Sequence, residues 1–137
     1  MKKNFKIEGT VNLLIDELTI DINNSYTFCN FEYSISDNTL IFLFSKSEGA
    51  WIKESDPNLI RIIFYDLVNF EVINENKGIA RYCFGIVEEM GYWPTNTEMK
   101  DWIMNESDFD EELDIVFRFE KEKTIRVKSK EAKLIYL

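Results

Sequence analysis

The chain has 137 residues, 45% hydrophobic and 30% charged, with 25 acidic against 16 basic side chains and a net charge of −9. That is the composition of one globular domain spanning 1–137, long enough to bury roughly two-thirds of its unfolded surface without disulfides or a metal. The complete absence of histidine excludes Ser-His-Asp and Cys-His nucleophilic catalysis and His-ligated metals.

Acid–base chemistry would fall to carboxylates, Lys or Tyr with strongly displaced pKa values. The negative charge disfavours nucleic acid and anionic membranes, both of which attract basic surfaces. It is compatible with a basic protein partner, and also with plain solubility. Met1-Lys2-Lys3 is followed by no apolar run of secretory type, because Glu8, Asn12, Asp16 and Glu17 interrupt it. The expected location is the cytoplasm. The two cysteines, Cys29 and Cys83, sit among aromatic neighbours and read as small core hydrophobes. A disulfide between them would need an oxidising compartment.

Period-two alternation dominates the chain. Phe5, Ile7 and Val11 alternate with polar residues, then Leu18, Ile20 and Ile22 do the same. Leu13-Leu14-Ile15 between them fits either a strand or a helical turn. Cys29, Phe31, Tyr33 and Ile35 line one face of the next strand, and Asp37-Asn38 supplies turn residues for a two-residue hairpin loop. The return strand 40–44 is apolar on both faces, which predicts a central strand covered on both sides. Residues 59–68 carry apolar side chains on both faces too, with Asp66 as an interruption that a strand end or a partner such as Arg61 explains. Residues 79–90 fit a strand or a helix; Gly85 tips the balance to strand. Thr95 with Glu98 three residues later forms a capping-box pattern, which predicts one short helix over 96–104 burying Met99, Trp102 and Ile103. Three further strands follow over residues 113–136. The expected fold is mainly β: an antiparallel sandwich or strongly bent sheet of about eight strands with that single helix.

The densest charge is Glu106, Asp108, Asp110, Glu111, Glu112 and Asp114. Asp108-x-Asp110-x-Glu112 has the start of a calcium loop. The sixth and twelfth positions, which need Gly and Glu, hold Leu113 and Phe119, so no metal site is assigned. A solvated loop explains the run, and so does a docking patch for a basic partner with Trp102 as its aromatic anchor. Residues 115–137 carry a net +4, leaving −13 on the rest. The stripe Arg126, Lys128 and Lys130 reads as cross-strand pairing with acidic neighbours. Trp51, Trp93 and Trp102 flank loops and read as buried staples. No residue pattern calls for a cofactor or an enzyme.

The run FEYSISDNTLIFLF at 31–44, then LIRIIFYDLVNFEV at 59–72, then a closing alternating strand, resembles small β-rich bacterial immunity proteins of polymorphic and contact-dependent toxin systems. The likeness lies in size, acidity and strand rhythm and assigns no individual residue a role. It implies a non-enzymatic inhibitor that covers a basic toxin domain with an acidic surface. Separately, an edge strand could pair two copies and no residue specifies it, so the expected state is a monomer or weak homodimer. The other reading is a small-molecule or lipid-binding domain with its ligand between sheets.

Overall fold

The computed structural model describes residues 1–49, 51–74, 84–120 and 122–137. Residues 79–83 of the segment expected over 79–90, with Cys83, lie outside the described residues. The strands are β1 (Lys2–Lys3), β2 (Lys6–Glu8), β3 (Asn12–Ile15), β4 (Leu18–Asp21), β5 (Tyr26–Ser34), β6 (Thr39–Lys46), β7 (Leu59–Asn74), β8 (Val87–Pro94), β9 (Leu113–Phe119) and β10 (Lys123–Tyr136), with a one-turn helix α1 at Ile22–Ser25. The mainly β expectation holds. A seven-stranded sheet runs β5-β6-β7-β10-β9-β8, with β1 added in parallel beside β10, and β2-β3-β4 form a second sheet. The ambiguous 13–15 segment lies in strand β3, and among the described residues 84–90 strand structure begins at Val87.

Bulges bend the large sheet. β5 slips register between Phe28 and Asn30, β7 against β10 at Lys128/Ser129, and β8 between Val87 and Glu89. An extra residue on one strand increases local twist and bends that strand. Asp66 sits beside the β7 bulge with φ 51°, exposed, so it marks a mid-strand kink rather than a strand end. The bending brings Phe28 N within 2.9 Å of Gly85 O, so the free edge of β5 meets the residues leading into β8. The small sheet and α1 close the open end: Met90 N donates to Thr10 O at 2.7 Å and Asn23 Nδ2 to Val87 O at 2.8 Å. Asp21 caps α1 through Asn24 N at 2.9 Å.

The core lies inside this curve. Phe28 packs edge-on to Phe42, Phe44 and Phe84 at 5.2–5.4 Å between ring centroids, and Phe42 continues the chain to Phe64 and Phe117 at 5.1 Å. Edge-to-face contacts of this kind add to the area each ring buries.

Several expectations change, and across β6 and the first half of β7 only the concave face is fully buried. Leu40, Phe42, Phe44, Ile60, Ile62 and Phe64 are completely covered, but Ile41, Leu43 and Ile63 on the reverse face are only half-buried. Cys29 is exposed, because it is the bulged residue of β5 and the bulge turns it out of phase with Phe31. The hairpin closes with four loop residues, not two, since Ser34 pairs with Thr39; of the expected turn residues only Asn38 has positive φ. Tyr33 and Ile35 project into solvent at this tip.

The helix expected over 96–104 is absent. Asn96 takes φ 61°, outside helical space. Thr97 O, Glu98 O and Lys100 O, which a helix over 96–104 would use internally, accept instead from Arg126 at 2.9 Å, Trp93 Nε1 at 3.2 Å and Arg118, and Pro94 O and Asp101 O beside them accept from Arg126 at 3.0 Å and from Arg118. Thr95, the expected cap, donates to Asp114 and Glu112. A nine-residue helix gains little against its nucleation cost. Two arginines with little access to water need acceptors, and this loop supplies them.

Candidate partner-binding surface

The acidic run divides into internal and external members. Glu106 is partly buried, its side chain 23% exposed, and it bonds inward. Its Oε1 accepts from Lys3 Nζ at 2.8 Å, Ile7 N at 3.0 Å and Tyr92 OH at 3.1 Å. The Lys3 side chain is 4% exposed and its ammonium lies over the rings of Phe109, Tyr92 and Phe5 at 4.2, 5.0 and 5.3 Å. Aromatic faces attract a cation, more so once it is desolvated. Burial nevertheless lowers the Lys3 pKa, against the pull of Glu106, and burial with the Glu106 charge raises the Tyr92 pKa. One carboxylate thus ties β1, β2, β8 and the 106–108 turn together.

Asp114 is internal as well. Only 2% of it is exposed; Oδ2 accepts from Arg126 Nη2 at 2.9 Å and Oδ1 from Thr95 Oγ1 at 2.6 Å. The cross-strand reading of the basic stripe is right for Arg126. Lys128 differs, bonding Thr95 Oγ1 at 2.9 Å and the Glu112 carbonyl at 2.7 Å, and Lys130 is exposed.

The external members are Asp108, Asp110, Glu111 and Glu112, all exposed. Their backbone is held from beneath. Asp110 Oδ1 accepts from Glu112 N at 2.8 Å, Lys128 holds Glu112 O, and the Met1 amine donates to Glu111 O. Burial lowers the pKa of that amine. Trp102 is 63% exposed and packs edge-on against buried Trp93, 5.0 Å between centroids. The staple expectation therefore fits Trp93 alone, since Trp51 is also exposed. Trp102 turns out because Arg118 grips the carbonyls just before it, which denies it a buried helix face.

Of the seven residues singled out by sequence, five remain on the surface: Trp102, Asp108, Asp110, Glu111 and Glu112. Sequence reasoning missed Lys3, Tyr92 and Arg118 and took Thr95 for a helix cap; all four fix the shape of this segment. Only Arg118, a charge inside an alternating apolar strand, gave a local signal. Among the described residues no group of three or more Cys, Asp and Glu is placed to hold a metal, and no helix is long and apolar enough to cross a membrane. Comparison of the chain with protein-family models, curated proteins and solved structures returns no match.

Proposed function

We propose that this chain is a non-enzymatic protein-binding module of the immunity type, which docks an acidic surface onto a basic toxin domain. The observation that carries the reading is a pinned backbone bearing outward charge. Asp108, Asp110, Glu111 and Glu112 are exposed on a segment anchored by Glu106, Lys128 and the amine of Met1, with Trp102 exposed upstream on a loop clamped by Arg118 and Arg126. A fixed charged surface steers an oppositely charged partner and loses little freedom on docking. The alternative, a ligand held between sheets, finds less support. The space inside the curve is filled by interlocking rings, and a cleft of about 940 Å³ near the N-terminus mixes Met1, Phe5, Leu14 and Phe109 with Lys2, Lys3, Lys6, Asp16, Glu106 and Glu111, so an apolar ligand there would lie against charge.

The test is affinity capture from the source lysate by wild type and by the triple variant Asp110→Lys, Glu111→Lys, Glu112→Lys. The expected result is a basic protein recovered in near-stoichiometric amount by wild type, weakened by salt and lost from the variant. Equal capture by both would reject this surface, and an empty wild-type capture from cells expressing a toxin would reject the function.

A further inference from the structure

The outer face of the large sheet has two halves. Beside β8 and β9 it carries Trp93, Asp114, Val116 and Arg118, and the 95–104 loop lies over it: Val116 is completely buried, and Arg118 and Arg126 bond the loop's carbonyls. Across β5, β6, the first half of β7 and the last part of β10 the same face is open. One row of register partners there reads Glu32, Ile41, Ile63, Lys133, with both ends exposed and both isoleucines half-exposed. The next reads Asn30, Leu43, Arg61, Ile135.

The first row is its own complement. An acid stands at one end, a base at the other, and two identical aliphatic residues lie between. Strands lie about 4.8 Å apart, so the row spans about 14 Å. A two-fold axis along the strand direction, midway between β6 and β7, turns one row over the other. Glu32 of each copy then faces Lys133 of the other, and Ile41 faces Ile63. This is aligned sheet-on-sheet packing, about 10 Å between layers, and it is isologous, as a closed dimer requires. An axis across the strands would instead set Glu32 against Glu32 and Lys133 against Lys133.

We infer that this open face is the interface of a homodimer, with a second copy of this chain as its occupant. The charges support the choice over a basic protein. Glu32 and Glu131 are balanced by Arg61 and Lys133, so this face offers a cation no net attraction, unlike the acidic segment at 108–112.

The test is sedimentation equilibrium on the full chain over a concentration series. Wild type should dimerise. Glu32→Lys and Lys133→Glu should each weaken dimerisation at least about tenfold, since each sets two like-charged pairs face to face. The combined variant should recover wild-type affinity to within about threefold. Circular dichroism confirms that each variant is folded. A wild type that stays monomeric at several hundred micromolar overturns the inference. So does a dimer indifferent to both single reversals, or a combined variant no stronger than the singles. None of these outcomes bears on the acidic segment, whose test is capture by a different variant.

Discussion

Replacing Asp114 with Ala tests whether the buried pair with Arg126 organises the loop that carries Trp102. Asp114 loses its bonds from Arg126 at 2.9 Å and Thr95 at 2.6 Å. Removing one partner of a buried pair costs about 3–5 kcal/mol, mostly through the charge left behind. Arg126 keeps the carbonyls of Pro94 and Thr97, which places the cost near the lower end, about 3 kcal/mol. For a domain of this size that corresponds to a fall of about 10 °C in Tm. Urea unfolding followed by tryptophan fluorescence measures it, with an unchanged m-value showing that cooperativity is kept. In a double-mutant cycle with Arg126→Met, the coupling should exceed about 1 kcal/mol. A loss below about 1 kcal/mol with no coupling would refute the argument that the loop abandons helix to satisfy this pair.

Tyr26 offers a pH test. Its hydroxyl donates to Pro57 O at 2.7 Å in a buried site, and burial first, then Asp56, raises its pKa from 10.0 to about 12. The native state therefore keeps a proton that the unfolded chain has lost. This contribution is complete below pH 10 and disappears as pH rises through about 12. Tyr26→Phe should cost about 1–2 kcal/mol at pH 8 and flatten the alkaline loss of stability; an equally steep profile would show that Tyr26 is not its source. Gly91→Ala would put a Cβ 2.4 Å from Met104 O and 2.8 Å from Ile103 Cδ1. A loss of about 1–3 kcal/mol is expected, with faster hydrogen exchange at the Tyr92 and Met104 amides; wild-type exchange at both would contradict the packing of this loop on β8.

The alternation of apolar and polar residues determined by itself that this chain builds mainly antiparallel β structure, since period-two burial is a local property. It located most strands within a few residues and placed Phe42, Phe44, Ile60, Ile62 and Phe64 on a buried face. It identified the acidic segment, because charge density needs no contacts to be counted. What it left open depended on partners distant in sequence. Nothing near Glu106 announces Lys3, over a hundred positions away, and nothing near Asp114 distinguishes it from Glu112 except that Arg126 lies across one strand. The capping pattern at Thr95 was sound local chemistry, overridden when Arg118 and Arg126 took the carbonyls a helix needs. Apolar residues on both faces of 40–44 and 59–68 said that both faces are suited to burial. Only the bending of the sheet decided which face encloses the core and which is left half-open, because bulges at Cys29 and along β7 set the sign of the curvature and a strand's own side chains do not.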